Sequence, residues 1–358
     1  MNKNIITKHY TNNKEILNLE NINPVPFIFL LLFTVGMFFS EMSLSFVINE
    51  VITRFIRDGI LVLSLLLPIT AGMGLNFAIT VGALSAQIVL ILAIDLNFYG
   101  ITGFIIACFF AVVLSVILGY AIGYILNKVK GKEMITTIII GFLANGVYQL
   151  IFLAGYGTFI KPRNTEIILS RGVGVRNMVD LAPYRNILDN IWKINVGDII
   201  IPVFMLIVVL SFCIISAYLM NTRLGQKIRV TGEDMQKAES LGININSVRI
   251  NAMIISTVIA SIGQMIYLQN IGMLNVYTAH LNSDIFSGAA LLAGGATIRK
   301  AKVRHAVLGI FLFHSLFIVS PQAGQNIFGN AAMGEYFRSF VAYGTLVIAL
   351  ILNKNKLY

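Results

Sequence analysis

Charged residues are scarce in this chain of 358 amino acids, and the acidic ones are fewer than the basic ones. Asp, Glu, Lys and Arg make up 12% of the sequence, whereas 57% of the residues are hydrophobic. An ordinary soluble domain carries about 25% charged residues, so we predict an integral membrane protein. The net charge is +10, and Lys and Arg of membrane proteins gather beside anionic lipid on the cytoplasmic face. The excess of Lys and Arg over Asp and Glu therefore predicts contact with membrane lipid and not with nucleic acid.

Cysteines are few, and the common catalytic motifs are missing. Cys108 and Cys213 both fall inside apolar runs, which predicts neither a structural disulfide nor a metal site. The phosphate-binding pattern GxxxxGK[ST] is absent, as are HExxH, CxxC and GxSxG. We therefore predict a chain that is not an enzyme and holds no cofactor. If its work needs ATP, a separate subunit must bind that ATP.

Long apolar runs dominate the rest of the chain. A membrane-spanning helix needs about 20 apolar residues, and ten candidates lie between a polar tail at 1–24 and a short tail at 353–358. The predicted spans are roughly Val25–Ser40, Gly59–Gly74, Ala78–Ile94, Ile101–Leu126, Met134–Gly155, Ile199–Met220, Ile250–Ile271, Ile285–Ile298, Ala306–Ser320 and Arg338–Leu352. The fold class is thus an all-α integral membrane protein, with a transmembrane domain at 25–352.

One segment of this domain, 44–58, is predicted to lie at the membrane interface and not to cross. Val47, Val51 and Phe55 share one helical face, and Arg54 and Asp58 stand at the i,i+4 spacing of an ion pair. With this assignment, no charged side chain falls in the middle of a span. If the protein is a transporter, this distribution of charge fits an uncharged polar solute and disfavours an ion-coupled mechanism.

Basic residues are unevenly divided between the two sides of the predicted topology. Seventeen of the 26 Lys and Arg residues fall on the side of the termini and of the segment 221–249, and nine fall on the other side, six of them in the long loop 156–198. Cytoplasmic loops carry the excess of Lys and Arg. Both termini and the 221–249 loop are therefore predicted to be cytoplasmic, and the 156–198 loop extracytoplasmic.

The polar segment 221–249 is predicted to contain one short amphipathic helix. Gly232 breaks the backbone, Glu233 and Asp234 occupy the first turn, and Gly242 provides the stop. Met235, Ala238 and Leu241 form a small apolar stripe. Many membrane proteins carry a surface helix of this kind, so the pattern alone leaves its role open.

The particular residues of this segment indicate which role it has. Thr222-Arg-Leu-Gly225, then Gly232, then Leu241-Gly-Ile243 resembles the loop by which permeases of ABC importers dock on a separate ATPase. The resemblance is to the branch that serves branched-chain amino acids, simple sugars, nucleosides and autoinducer-2. Leu291-Leu-Ala-Gly-Gly-Ala-Thr297 resembles a second block of that family. Glu233-Asp234 departs from the pattern, because the family often has Asn there.

The resemblance implies a type II-like permease with broken helices in a prokaryotic cell (inner) membrane. Its expected partners are ABC ATPase subunits, a second permease copy or a paralogue, and an extracytoplasmic solute-binding protein. The ATPase-coupling residues it implies are Arg223, Gly225, Gly232, Glu233, Asp234, Ala238, Leu241 and Gly242. Gly82-Ala-Leu-Ser-Ala and Ser287-Gly-Ala-Ala-Leu also suggest two weakly repeated halves.

Polar side chains inside the spans are the candidates for a solute path, because they must face protein or water. The candidates are Asn76, Asn145, Gln149, Gln264 and Asp284. They suit a sugar or nucleoside, although each could instead bond a neighbouring helix. A secondary transporter or channel without an ATPase remains the alternative function, followed by a membrane enzyme.

Overall fold

A computed structural model describes residues 23–354, which are mostly helical. Most of the predicted tails at 1–24 and 353–358 lies outside the described residues. Thirteen α-helices follow one another within the described range: α1 (Val25–Ser40), α2 (Leu44–Ser64), α3 (Leu66–Thr70), α4 (Ile79–Asp95), α5 (Gly100–Lys128), α6 (Glu133–Leu150), α7 (Val203–Asn221), α8 (Arg223–Glu233), α9 (Met235–Ser240), α10 (Ile245–Ile271), α11 (Ser283–Ala293), α12 (Val303–Phe328) and α13 (Ala331–Lys354).

Five of these helical segments in the described chain are long and apolar enough to cross a membrane. They are α5, α6 with its continuation to Gly155, α7, α10 and α12. Three more apolar helices, α1, α4 and α11, are shorter than a full crossing. The protein is therefore a helical, multi-pass membrane protein, consistent with the predicted class.

The centre of the bundle is α10, which packs against α2, α4 and α5. Ala252, Met253, Ala260 and Leu268 of this helix are fully or almost fully buried. By contrast, α6 exposes Phe142 on the outer surface, at 72% of its area. Apolar side chains left uncovered in a membrane protein face lipid or another subunit, so α6 lies at the edge of the bundle.

The sequence predicts an interfacial helix at 44–58 and a separate span that begins at Gly59. These bounds are wrong, because one helix covers both. Helix α2 continues without interruption from Leu44 to Ser64, capped at its start by Ser43, whose Oγ accepts the N–H of Phe46. Charged residues that look interfacial in the sequence are thus on the same helix as the fully buried Ile60 and Val62. The predicted Arg54–Asp58 pair is also absent, because Arg54 lies beside Glu50 instead.

The helix breaks only at Leu65, after which the short α3 ends at Thr70. Gly72 and Gly74 then adopt positive φ angles of 76° and 71°, a region that favours glycine. These turns carry the chain to α4 and place Asn76 in an irregular junction between α3 and α4.

The segment 156–198 folds over one end of the bundle. It contains β1 (Met178–Asp180), which pairs with β4 (Met273–Asn275) after α10, and β2 (Ile194–Val196), which forms a hairpin with β3 (Ile199–Ile201). The sixth span therefore begins at Val203 and not at Ile199, because the first residues of that apolar run are in a strand.

Asp95 at the end of α4 holds this segment in place. Its carboxylate accepts the backbone N–H groups of Arg163 and Asn164 at 2.8 and 2.9 Å and the hydroxyl of Tyr156 at 3.1 Å. Asp95 is 4% exposed. A buried carboxylate needs such donors, so the sequence 156–164 has a fixed path over the bundle.

Candidate functional site

The segment predicted to couple to an ATPase consists of two helices and not one. Gly232 does not break the backbone, because it lies inside α8, which ends at Glu233. Asp234 follows in an extended conformation and begins α9 as its N-cap. The predicted helix end is correct, because α9 ends at Ser240 and Gly242 has a φ of 73°.

Asp234 closes the start of α9. Its Oδ1 accepts the backbone N–H groups of Gln236 and Lys237 at 2.9 and 3.1 Å, and its Oδ2 lies 3.5 Å from Lys237 Nζ. The bond from the Lys237 amide, followed by that from Gln236 and by the Lys237 charge, lowers the pKa of this carboxyl below its ordinary value. Aspartate at this position is a strong N-cap, which explains the departure from the family pattern in local terms.

The predicted coupling residues divide into a buried and an exposed group. Gly225 and Ala238 face the bundle, whereas Arg223, Glu233 and Gly242 lie at the surface. Leu241 was predicted to share an apolar stripe with Ala238, but 70% of it is exposed. The α8–α9 segment thus presents a large apolar side chain to its surroundings at the end of α9.

The turn from α7 into α8 is tightly constrained. Thr222 caps α8 by accepting the N–H of Gly225 at 3.3 Å. A Cβ atom at Gly225 would lie only 2.2 Å from the carbonyl oxygen of Leu219. The Thr222-x-x-Gly225 pattern therefore fixes α8 directly against the end of α7.

Gly232 brings α8 into backbone contact with the broken segment after α3. A Cβ atom placed on Gly232 would lie 2.0 Å from the carbonyl oxygen of Thr70 and 2.8 Å from the nitrogen of Gly72. A Cβ atom on Gly72 would in turn lie 2.9 Å from Gly232 Cα. Only glycine permits this approach, and it joins the α8–α9 segment to the junction that leads to Asn76.

A buried ion pair lies at the same end of the bundle. Arg249, which is fully buried in α10, places Nη2 2.6 Å from Glu133 Oε1 of α6, and the same atom donates to the carbonyl of Leu126 at 3.2 Å. Arg249 Nη1 lies 3.9 Å from Met235 Sδ of α9. These contacts tie α5, α6, α9 and α10 together, and the sequence analysis did not single out the pair.

Basic side chains surround a groove beside α8. The groove has a volume of about 570 Å³ and runs between α8 and the segment 299–304. Its charged lining consists of Arg229, Glu233, Arg299, Lys300, Lys302 and Arg304. Five cations against one carboxylate give this end of the bundle a strongly positive surface.

Two of the predicted path residues, Asn145 and Gln149 of α6, belong to one polar network. Gln149 Nε2 donates to Asn145 Oδ1 at 3.2 Å, and His280 Nε2 lies 2.8 Å from the same oxygen. His280 Nδ1 lies 3.2 Å from Gln87 Oε1 of α4. Both His280 and Gln87 are fully buried, whereas Asn145 and Gln149 are half-buried, so the network extends from the core to the uncovered face of α6.

The other three candidates lie apart from this network. Asn76 donates to Ser256 Oγ of α10 at 3.2 Å, and Gln264 donates to the carbonyl of Ala279 at 3.3 Å. Asp284 occupies the first turn of α11, where Oδ1 accepts the N–H of Ile285 at 2.8 Å. The structure therefore does not bring the five residues together into one site.

Metal ligands do not cluster in the described part of the chain. Among residues 23–354, no group of three His, Cys, Asp or Glu side chains is arranged so that it could hold a metal ion. Four of the five candidate path residues, Asn76, Asn145, Gln149 and Gln264, carry amides, which form hydrogen bonds with uncharged solutes.

The expectation that charge stays outside the spans assumed a separate interfacial helix at 44–58, which the continuous helix α2 replaces. Arg54, Arg57 and Asp58 line a cavity next to Gln264, together with Arg338 and His314. The cluster was not predicted, because its charges on α2 looked like those of a separate interfacial helix. Their spacing offered a signal, since positions 54, 57, 58 and 61 recur on one face of a helix.

Comparison with known proteins identifies the family. Residues 47–350 match the sequence model of the family described as "Branched-chain amino acid transport system / permease component". The high-affinity branched-chain amino acid transport system permease protein BraD of Pseudomonas aeruginosa is 23% identical over 240 residues, covering 66% of this chain and 70% of BraD.

Two further relatives belong to other transport systems. The nucleoside ABC transporter permease protein NupC of Lactococcus lactis is 27% identical over 248 residues, covering 68% of this chain and 74% of NupC. The autoinducer 2 import system permease protein LsrC of Photorhabdus laumondii is 21% identical over 286 residues, covering 78% of this chain and 73% of LsrC. No solved structure matches the chain. Because the family model spans most of the sequence, the protein belongs to this family of ABC-importer permeases, the non-catalytic membrane components of transport systems.

Proposed function

We propose that the chain carries a small polar solute into a prokaryotic cell as the permease subunit of an ATP-driven importer. Two ATPase subunits would dock on α8 and α9, and a second permease copy or a paralogue would complete the pathway. A solute-binding protein would deliver the solute on the side of the 156–198 segment. In this arrangement the α8–α9 end and both termini are cytoplasmic, and the chain crosses the membrane ten times in two related halves.

The observation that carries this proposal is that the α8–α9 segment has one exposed side and one side packed against the junction between α3 and α4. Its outer side exposes Leu241 at the end of α9, which offers an apolar contact to a partner. Its inner side touches Gly72 through the backbone of Gly232. A partner that moves α8 must therefore also move the junction between α3 and α4.

A simple sugar or a nucleoside is the proposed solute. The network of Asn145, Gln149, Gln87 and His280 offers both donors and acceptors without a net charge on the amides. Hydroxyl-rich and amide-bearing solutes match such groups. The relatives named for branched-chain amino acids, nucleosides and autoinducer-2 differ in solute, which agrees with a specificity set largely by the binding protein.

The decisive experiment reconstitutes the chain in proteoliposomes with the ATPase and binding protein encoded beside it. We expect uptake that requires ATP inside and binding protein outside. Leu241→Arg should abolish co-purification of the ATPase. Phe159→Arg, at a 92% exposed position of the 156–198 segment, is the matched control and should leave co-purification intact. Uptake driven by an ion gradient, without any ATPase, would overturn the proposal and favour a secondary transporter.

A further inference from the structure

A polar cavity lies between α2, α10, α12 and α13, apart from the Asn145 network. Its volume is about 220 Å³. Its ionisable lining comprises Arg54, Arg57, Asp58, His314 and Arg338. Three guanidinium groups and one carboxylate therefore face a space large enough for a compact ligand.

Two of the arginines are held in place by protein groups. Arg57 donates from Nε and Nη2 to Asp58 Oδ2, at 3.3 and 3.2 Å, and its guanidinium lies 5.2 Å from the centre of the Tyr267 ring. Arg338 donates from Nη1 to the carbonyl of Phe317 at 3.2 Å and pairs with Glu335. Both positive charges are thus fixed beside the cavity.

Arg54 is different, because it donates no hydrogen bond to any group within residues 23–354. Its Nε is buried without a hydrogen-bond partner. Glu50 Oε2 lies 3.7 Å from that nitrogen, too far for a hydrogen bond, and the Glu50 side chain is 38% exposed. Of the five N–H donors of a guanidinium, the one on Nε is therefore buried and without a hydrogen bond, which is costly.

The remaining groups around the cavity leave room for an anion. Asp58 is already occupied by Arg57, with His314 Nε2 3.6 Å from its Oδ2. Glu335 pairs with Arg338, and Glu50 lies beside Arg54 as an ion pair without a hydrogen bond, but neither carboxylate lines the cavity. The unmatched group that faces the space is therefore a cation with free donors.

We propose that this cavity binds a compact oxyanion, a carboxylate or a phosphate, with Arg54 as its main ligand and with Arg57 and Arg338 adding positive charge. Guanidinium pairs with both groups in a two-pronged geometry. The oxyanion can be a free small anion or the headgroup of an anionic lipid. Neither case rests on the proposed function, because a simple sugar or nucleoside carries no carboxylate or phosphate.

The test uses the full-length chain alone, purified free of lipid in a neutral detergent. Potassium phosphate and potassium acetate are titrated against potassium chloride at equal ionic strength, and thermal unfolding is followed. We expect a saturable rise in the unfolding temperature with phosphate or acetate that chloride does not produce. Arg54→Gln should weaken the response about tenfold or more, because charge-assisted hydrogen bonds are lost. Arg163→Gln, at an exposed arginine of the 156–198 segment, should respond like the wild type.

Two further measurements complete the test. The first distinguishes a free anion from a lipid headgroup, and the second uses the wild-type protein, so that it does not depend on the folding of a variant. Nanodiscs of phosphatidylcholine are compared with nanodiscs that also contain phosphatidylglycerol; stabilisation by that lipid alone, lost in Arg54→Gln, identifies a headgroup site. Modification of Arg54 by phenylglyoxal in the wild type, mapped by mass spectrometry, should slow when phosphate, acetate or the anionic lipid is bound. An equal response in Arg54→Gln, or no response and no protection with any of the three, would overturn the proposal. No ATPase is present, so this result is independent of the uptake experiment.

Discussion

Gly232 of α8 and Gly72 after α3 touch backbone to backbone, without an intervening side chain. This contact is the direct connection between the exposed α8–α9 segment and the broken helix that leads into α4. A side chain on either glycine would have to push the two segments apart.

Gly232→Ala should therefore reduce ATP-dependent uptake while leaving ATPase binding in place. The added methyl group would meet the Thr70 carbonyl at 2.0 Å, and overpacking of this kind costs about 1–3 kcal/mol. Uptake and co-purification of the ATPase are measured on the same preparation. Gly344→Ala is the matched control, because nothing lies within 4 Å of the added atom. Wild-type uptake by Gly232→Ala would show that the contact is not needed for transport.

Arg249→Ala should lower stability strongly, because it leaves Glu133 buried without its partner. Breaking a buried ion pair by removing one member costs about 3–5 kcal/mol. Thermal unfolding of Arg249→Ala, Glu133→Ala and the double variant Arg249→Met/Glu133→Leu provides the measurement. The double variant should recover much of the loss, since apolar residues can replace such a pair. If the double variant were less stable than both single variants, the pair would not account for the effect.

Asp234→Ala should loosen α9 and speed amide hydrogen exchange at Gln236 and Lys237, whose N–H groups lose their acceptor. Asp234→Asn should retain most of the protection, because Asn is also a good N-cap. The folded pKa of Asp234 is below the ordinary value of 3.8. Its capping contribution is therefore present above pH 3.8 and is lost as the pH falls through the lower folded pKa. Unchanged exchange in Asp234→Ala would show that Asp234 does not stabilise the start of α9.

Asn145→Leu and Gln149→Leu should have different effects, although the two residues share one helical face. The first leaves the buried His280 Nε2 without its partner, which costs about 1–3 kcal/mol. The second removes a half-buried amide whose one side-chain hydrogen bond within the described residues goes to Asn145. We expect Asn145→Leu to lower the unfolding temperature and Gln149→Leu to alter uptake at nearly wild-type stability. Equal losses of stability would place Gln149 in the structural part of the network.

Asp95→Ala should release the beginning of the 156–198 segment, because three donors lose their acceptor. Limited proteolysis between Lys161 and Arg176 should become faster, while the helical bundle stays intact. Asp180→Ala is a suitable control, since Asp180 is exposed and its carboxylate accepts, among residues 23–354, only the N–H of Ala182. Equal cleavage of the two variants would contradict an anchoring role for Asp95.

The long apolar runs could be predicted from the sequence because length and hydropathy are local properties. The bounds of α1 agree at both ends. Helix α10 ends at the predicted Ile271 but begins five residues earlier, and α12 begins three residues earlier and ends eight residues later than predicted. The predictions fail where a residue is required by a contact with a part of the chain that is distant in sequence. Gly232 was interpreted as a helix breaker, but its missing side chain serves contact with Gly72, which is distant in sequence.

The candidate site was predicted only in part, for a related reason. The i,i+4 pair Asn145 and Gln149 is visible in the sequence, but their partner His280 is 135 residues from Asn145. Arg249 and Glu133 are separated by 116 residues. Such partners have no shared local pattern, and a buried charge looks like a surface charge until the neighbouring helices are known.

Helix α10 has Arg249 near its first turn and Gln269 near its last, where Gln269 Nε2 donates to Asp189 of the 156–198 segment at 2.9 Å. The twenty residues between them rise about 30 Å along the axis. One uninterrupted helix thus joins Glu133 at one end of the bundle to Asp189 at the other. Each degree of rotation at one end displaces the opposite end by about 0.5 Å over that length. A movement at either end of α10 can therefore reach the other end through the helix itself, without passing through a loop.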